Sequence, residues 1–255
     1  MKKAVKPFCS DTIKLFAIIA MLIDHIAWAF VPFNSVAGQI MHFFGRLTAP
    51  IMCYFIAEGY FYTRNIKKYI LRLGLFAIIS QIPFLMIESL KGPPILITEN
   101  GIWINPELLS LNLNTMFTLM LGLIALALWK TEIIEKPLRV MIVITICMLS
   151  LIGDWSVFAV LWILFFGIFH GDFKKQMISY FIIAIASVVI IFSRRFKQVL
   201  SDPFIMFWQA GLLIPPLLLY LYNGKRKNNY PFFKWFFYLF YPIHLLVIGI
   251  IKLYF

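Results

Sequence analysis

Residues 12–32, TIKLFAIIAMLIDHIAWAFVP, decide the fold class. The stretch is apolar over about 20 residues, which is the length that an α-helix needs to cross the hydrocarbon core of a bilayer. Its only acidic residue, Asp24, is followed directly by His25 in the second half of the stretch. This pair interrupts the apolar run just before the AWA at 27–29, where a signal peptide would be cleaved. We therefore interpret the stretch as a retained transmembrane helix.

The rest of the chain repeats this apolar pattern. Of its 255 residues, 62% are hydrophobic and 13% are charged, whereas soluble domains carry about 25% charged residues. The sequence thus predicts an all-α, polytopic integral membrane protein that forms a single transmembrane domain over residues 1–255. We place about nine transmembrane helices, at residues 12–32, 38–61, 68–87, 114–130, 138–153, 155–170, 176–193, 203–222 and 232–252.

The net charge of +12 comes largely from short loops between the apolar blocks, such as RNIKK at 64–68 and HGDFKK at 170–175. The positive-inside rule places such loops in the cytoplasm. It predicts a multi-pass membrane protein with a cytoplasmic N-terminus and an extracytoplasmic loop at 88–113. SRRFK at 193–197 would lie outside, so either the rule fails locally or one span is re-entrant.

The composition also bounds the partners. The basic residues form no stripe on a soluble domain, so we expect membrane lipid and no nucleic acid as a partner. The three cysteines are scattered and show no metal-ligand spacing, so we expect no metal site.

Polar side chains inside the predicted spans mark a candidate site, because an ionisable group is costly in lipid and usually faces a cavity. His25 lies roughly 9 Å below the outer end of its span and Arg46 roughly 12 Å below the end of the next, at about 1.5 Å per residue. Gln81 and His244 lie at a similar depth, which predicts one site built by four helices. The polar residues that we single out inside or at the ends of the spans are Asp24, His25, Arg46, Glu58, Arg72, Gln81, Asp154 and His244.

Each of these residues also has a purely structural interpretation. A buried histidine such as His244 often only hydrogen-bonds a carbonyl, and Asp154 suits the start of a helix as a cap. Arg72 and Lys68 fit interfacial positions with their charged ends in water. Glu58 could pair with a neighbouring cation.

Adjacency separates the roles of Asp24 and His25. Neighbouring residues on a helix point about 100° apart, so the two side chains face different partners. We expect His25 to face a cavity and Asp24 to contact an adjacent helix. Histidine suits proton removal near neutral pH, which makes His25 the candidate general base.

Several longer segments of the sequence resemble those of a known family. MLIDH, GRLTAPI, AEGYFYTRNIKKYILRLGLFAIISQIPF, LNTMFTLMLGL, GDWSVFAVL and YLFYPIHLLVI together resemble the TraX family, which is named for a conjugation-system protein that acetylates the N-terminus of pilin. The resemblance covers the first six spans and the last one. Two positions depart from the pattern, since Ala27 stands where a glycine is usual and Trp155 where a tyrosine is usual.

The resemblance implies a membrane-embedded acyltransferase of the bacterial inner (cytoplasmic) membrane. It would take an acyl group, in this family acetyl, from a cytoplasmic acyl-CoA and pass it to an amine or hydroxyl of an acceptor peptide, glycan or lipid. By the same resemblance His25 would be the catalytic base with Asp24 in support. Glu58, Asp154 and His244 would line the site.

The donor is expected to lie beside cations, because coenzyme A is polyanionic. Arg64, Lys67, Lys68 and Arg72 come together at the cytoplasmic ends of two spans. At the thioester end of the same donor, Arg46 or Gln81 would stabilise the developing oxyanion. The sequence leaves open whether the acyl group passes directly or through an acyl-enzyme.

Two other functions stay open at this point. A proton-coupled transporter could use Asp24, His25, Glu58 and His244 as a relay, although the chain shows no inverted repeat. A non-enzymatic assembly factor would need none of these side chains. Transfer of label from acetyl-CoA, and its loss on replacing His25, would separate the acyltransferase from both.

Overall fold

The structure, a computed structural model, describes residues 6–88, 92, 94–98, 101–109, 111–225 and 231–254. It is a bundle of α-helices with one short β-hairpin. The helices are α1 (Ser10–Phe30), α2 (Val36–Gly45), α3 (Thr48–Tyr62), α4 (Ile66–Glu88), α5 (Thr115–Lys130), α6 (Lys136–Leu149), α7 (Ser156–Ile168), α8 (Phe173–Ser201), α9 (Ile214–Tyr220) and α10 (Pro231–Tyr254). Three segments are 3₁₀-helical, at Pro106–Leu109, Ser150–Ile152 and Pro203–Leu213.

The helices are those of a multi-pass membrane protein, but the predicted count of nine spans is not confirmed. Six segments are long and apolar enough to cross a membrane, namely Ser10–Phe30, Val36–Tyr62, Ile66–Glu88, Phe173–Ser201, Pro203–Tyr220 and Trp235–Tyr254. Two further apolar helices, Thr115–Lys130 and Ser156–Ile168, are shorter than the about 20 residues that a full crossing needs.

The second predicted span is broken into α2 and α3. Arg46 and Leu47 form the turn between them, with Arg46 at the C-terminal end of α2. Pro50 explains the break, because proline has no N–H to donate to the carbonyl of Arg46 four residues earlier and its ring crowds that carbonyl. The break directs the Arg46 side chain away from a regular helix face.

The seventh predicted span is longer than expected. Helix α8 runs for 29 residues, or about 44 Å at 1.5 Å per residue, against a hydrocarbon core of about 30 Å. The basic segment SRRFK, predicted to lie in a loop, continues the helix instead. Its charged residues therefore extend beyond the apolar part of α8. At the other end Asp172 caps the helix, and the pKa of Asp172 is lowered because its carboxylate accepts the backbone N–H of Lys175.

The core lies where α3, α5, α7 and α8 meet. The largest fully buried side chains include Trp162, Phe166 and Tyr180, whose rings pack together. The Tyr180 hydroxyl donates to the carbonyl of Leu212 at 2.6 Å, which fixes the 3₁₀ segment 203–213 against α8. The same 3₁₀ segment packs against α2.

The predicted loop at 88–113 contains the hairpin. Strands β1 (Ile95–Thr98) and β2 (Gly101–Ile104) pair antiparallel, with Ile95 opposite Ile104 and Thr98 opposite Gly101.

Gly211 permits the closest approach between the 3₁₀ segment and α2, which leads to a stability prediction. A Cβ on Gly211 would overlap the backbone carbonyl of Phe43, and a backbone atom cannot rotate away. We expect Gly211→Ala to cost about 1–3 kcal/mol, as overpacking does, and to lower the melting temperature of the detergent-purified protein by about 2–4 °C per kcal/mol.

Gly74→Ala is the matched control for this variant. A Cβ there would meet only the Met120 sulfur at 3.0 Å, the movable part of a flexible side chain. Alanine also favours the interior of α4 by about 1 kcal/mol over glycine. Equal melting temperatures for the two variants would contradict the close approach.

Candidate functional site

A cavity of about 150 Å³ lies among α1, the break between α2 and α3, α5, α10 and the start of α7, and we name it the histidine cavity. Its lining combines apolar and aromatic side chains with a compact polar set. The polar and charged members are Asp24, His25, Arg46, Thr48, Glu88, Thr115, Tyr241 and Asp154. The structure thus brings together side chains that are up to 217 residues apart in the sequence, counting from Asp24 to Tyr241 (241 − 24).

His25 is held by His244. The His25 Nδ1 lies 2.8 Å from the His244 Nε2, and the His244 Nδ1 lies 2.6 Å from the carbonyl oxygen of Phe240. A carbonyl can only accept, so the His244 Nδ1 carries a proton, and in neutral His244 the Nε2 is then the acceptor. His25 must donate through its Nδ1. The lone pair of neutral His25 therefore lies on the Nε2.

This chain of hydrogen bonds joins two of the sequence interpretations for His244. The histidine does bond a backbone carbonyl, as a structural histidine would, and through its other nitrogen it orients a cavity residue. Orientation of an imidazole by a partner at its second nitrogen is how proteins fix a tautomer.

Asp24 faces a different helix. Its Oδ1 lies 2.7 Å from the Nδ1 of His42 on α2, and Gly45 leaves room for the carboxylate because a Cβ there would overlap the Asp24 side chain. His42 is 1% exposed and packs between the rings of Trp28 and Phe33 at 4.5 and 5.2 Å. Its Nε2 has no hydrogen-bond partner among the described residues.

Sequence reasoning missed His42. The signal was present, since His42 lies inside the second apolar span and four residues before Arg46, at a depth comparable with that of His25.

Asp154 is fixed by an unusual backbone. Its carboxylate accepts the Thr115 hydroxyl at 2.5 Å and the N–H of Trp155 at 2.9 Å. The next two residues, Trp155 and Ser156, have φ values of 58° and 45°, a left-handed conformation that costs free energy for residues other than glycine. The carboxylate lines the cavity, and the N-cap position of α7 belongs to Trp155.

Arg46 is held by aromatic rings. Its guanidinium carbon lies 3.6 Å from the ring centroid of Trp208 and 4.6 Å from that of Trp155. Among the described residues no ion pair or hydrogen bond to its guanidinium is found, although Asp24 and Asp154 attract it electrostatically. Its N–H donors remain available to a group that enters the cavity.

Carboxyl groups outnumber cations in the lining of the histidine cavity. Among the described residues, Asp24, Glu88 and Asp154 line it together with the guanidinium of Arg46. The lining therefore offers three carboxyl groups to a cation and one guanidinium to an anion.

A second cavity of about 450 Å³ lies among α1, α3, α4 and α10, and we name it the basic cavity. Its charged lining residues are Lys14, Arg64 and Arg72. The Lys14 Nζ lies 4.8 Å from the ring centroid of Phe55, and Arg72 lies over Tyr69. Sequence reasoning did not include Lys14, which lies near the start of the first apolar stretch.

The two cavities share one wall. Met52, Met116, Leu119 and Phe237 line both of them, so these four apolar side chains separate the basic cavity from the histidine cavity. We name this set the shared wall. A cavity lined by three basic residues thus adjoins a cavity lined by three carboxyl groups.

Four predicted site residues lie elsewhere. Gln81 accepts the N–H of Asn114 and donates to the carbonyl of Asn112, so it holds the start of α5. The Glu58 carboxylate lies 3.4 Å from the Nε2 of His170. Lys67 and Lys68 are exposed in the first turn of α4 and line neither cavity.

Comparison with known proteins places the chain in a family. The model of the family described as TraX protein matches residues 9–252. The chain belongs to the TraX family. It is also 31% identical over 253 residues to the probable fimbrial assembly protein FimC, serogroup H1, of Dichelobacter nodosus, covering 97% of each chain. None of the solved structures matches the chain significantly. The family resemblance predicted from the sequence motifs is thereby confirmed.

The hydrogen-bond chain through His244 predicts the tautomer of His25. The chain has only four histidines, so ¹⁵N-histidine NMR of the detergent-solubilised protein can assign each by single replacement. We expect His25 and His244 both to carry the proton on Nδ1 when neutral. Replacing His244 by Phe removes the acceptor, so we expect His25 to shift toward the Nε2–H form. An unchanged His25 spectrum in His244→Phe would contradict the assignment.

Proposed function

We propose that this TraX-family protein is a membrane-embedded acyltransferase that moves an acyl group from acyl-CoA to an amine. The observation that carries the proposal is the arrangement of the two cavities. A basic cavity suited to a polyanionic donor lies against the carboxyl-lined cavity that contains His25, whose Nδ1 is hydrogen-bonded to His244. The shared wall separates the two cavities.

The donor is assigned to the basic cavity. Lys14, Arg64 and Arg72 supply positive charge for the phosphates of acetyl-CoA or another acyl-CoA. The Lys- and Arg-rich loops support placing this end of the bundle in the cytoplasm of a bacterial cell, where acyl-CoA is made. The pantetheine arm is long and slender, so it can pass the shared wall and bring the thioester to the histidine cavity.

The chemistry is assigned to His25 and Arg46. The Nε2 of His25 removes a proton from the acceptor nitrogen as that nitrogen attacks the thioester carbonyl carbon. The N–H donors of Arg46, which have no acceptor among the described residues, stabilise the oxyanion. As the carbon–sulfur bond breaks, His25 returns the proton to the thiolate. The C–N bond forms directly, so no acyl-enzyme is needed.

The acceptor is assigned from charge. Three carboxylates around the histidine cavity favour an amine, which is cationic before it reacts, over a neutral hydroxyl. The relative named as a probable fimbrial assembly protein supports an acceptor among fimbrial or pilus components. A peptide amine of such a component fits both observations better than a glycan or lipid hydroxyl.

The transporter hypothesis receives less support. Its relay needs Glu58 beside Asp24, His25 and His244, but Glu58 lines neither cavity and pairs with His170. An assembly factor without catalysis would leave the hydrogen-bonded histidine pair unexplained.

The catalytic assignment predicts a large effect from His25. We expect His25→Gln to lower acyl transfer about 10²–10⁴-fold, because a general base contributes that much. We expect Arg46→Gln to lower acyl transfer about 10²–10³-fold, because the oxyanion loses the charged donor that stabilises it. Transfer of radiolabel from acetyl-CoA to proteins of membranes that hold the enzyme measures both effects.

The control for these variants is Ile40→Ala, an exposed apolar residue on α2 outside both cavities. Full transfer by a stably folded His25→Gln protein would refute the mechanism. Label recovered in lipid or glycan, with none in protein, would move the acceptor to that class.

The donor assignment makes a separate prediction about binding. Replacing Arg72 by Ala removes a charged partner of the phosphates worth about 1.5–3 kcal/mol, or about 10- to 100-fold in affinity. We expect that loss for acetyl-CoA binding by calorimetry, and a similar one for Arg64→Ala. Lys174→Ala, which removes an exposed lysine from the first turn of α8, is the control. Equal affinities in all four proteins would place the donor elsewhere.

A further inference from the structure

The Asp24–His42 pair has no part in the transfer step described above, yet it lines or supports the same cavity as His25. The two histidine pairs are separate, since His25 bonds His244 and His42 bonds Asp24. The cavity thus has a second hydrogen-bonded group beside His25, the carboxylate of Asp24.

An amine acceptor requires two such transfers. It arrives as an ammonium ion with no lone pair, so one N–H bond must break before the nitrogen can attack. A second proton leaves the nitrogen when the C–N bond forms, and His25 returns that proton to the thiolate sulfur. The first proton has no acceptor in this scheme unless a second base lines the cavity.

We propose that Asp24 takes the first proton from the acceptor ammonium and that His42 is the positioning residue that holds Asp24 ready for it. In this step the N–H bond breaks, an O–H bond forms on Asp24 and the lone pair stays on nitrogen. The proton then leaves Asp24 for water, so the overall reaction releases one proton. The inference rests on the proposed acyl transfer to an amine.

The geometry supports the positioning role of His42. The carboxylate of Asp24 can only accept, so the His42 Nδ1 donates to Oδ1 over their 2.7 Å separation. A proton on the buried Nε2 would have no acceptor among the described residues, which favours the same tautomer. One carboxylate oxygen is thereby fixed, and Asp24 also lines the cavity.

The surroundings keep this pair in place. The imidazole of His42 packs against the rings of Trp28 and Phe33, and Gly45 leaves space for Asp24. Arg46 attracts Asp24 electrostatically, and Arg195 lies 4.3 Å from the ring centroid of Phe33. Two further carboxyl groups, those of Glu88 and Asp154, line the same cavity.

A pair of acceptors that differ in charge tests the proposal. Ethylamine is protonated at neutral pH, whereas 2,2,2-trifluoroethylamine is similar in size and already neutral. The full-length protein in nanodiscs is supplied with acetyl-CoA and each amine, and release of the CoA thiol is measured. Each variant is scored by its rate relative to wild type for each amine.

His42→Phe keeps an aromatic ring in the packed site but removes the donor to Asp24. We expect its rate with ethylamine to fall at least about tenfold, and its rate with trifluoroethylamine to change little, because only the first amine needs the extra proton transfer. His42→Asn retains a donor near the Nδ1 position and is expected to recover much of the ethylamine rate. Ile40→Ala, an exposed position on the same helix, is expected to change neither rate.

The outcomes separate this inference from the proposed function. Equal losses with the two amines in His42→Phe and in His42→Asn would overturn the inference and leave acyl transfer standing. No transfer to either amine by the wild type, with label still reaching a hydroxyl acceptor, would remove the amine on which the inference rests. No CoA release with any acceptor would refute the proposed function itself.

Discussion

The hydrogen bond between His25 and His244 joins the first helix to the last across 219 residues of sequence. An imidazole inside an apolar helix is costly unless each polar atom has a partner or a cavity. Here the cost is offset only when α1 and α10 dock in a register that brings the two rings together. Asp24, one residue earlier, also needs a polar partner. His42 of α2 provides that partner on another side of α1. Two adjacent polar residues thus fix two helices against α1.

Irregular backbone surrounds this cavity on two sides. The break after Gly45 lets Arg46 point between two tryptophan rings, and the left-handed residues after Asp154 hold that carboxylate in the lining. Within a membrane such backbone is tolerated only where it is buried in protein or lines a cavity. A straight second helix would keep Arg46 on a regular helix face and would remove its guanidinium from the lining of the histidine cavity. The strain at Trp155 and Ser156 is consistent with a site whose geometry matters more than its local stability.

The sequence predicted the class of protein and part of the site. The rest of the site could not be predicted, for a physical reason. Depth along a helix follows from counting residues, so His25, Arg46 and His244 were expected at one level. Which face a residue occupies depends on packing, so counting could not show that Gln81 turns to Asn114 and away from the cavity. Asp24 has its partner in His42, a residue that looked like an ordinary member of an apolar span. To predict the break at Arg46, Pro50 must be considered together with the carbonyl that its ring crowds.

The basic residues of one cavity and the carboxyl groups of the other suit the two unlike substrates of the proposed acyl transfer. A polyanionic donor is favoured in the basic cavity and repelled by the three carboxylates of the histidine cavity. An ammonium ion is favoured in the histidine cavity and repelled in the basic cavity. The wall itself offers no charge to either, because Met52, Met116, Leu119 and Phe237 are apolar. An uncharged segment such as a thioester arm can cross it without burying a charge. In the proposed acyl transfer, charge would therefore keep donor and acceptor apart except at His25, where the reacting atoms would meet.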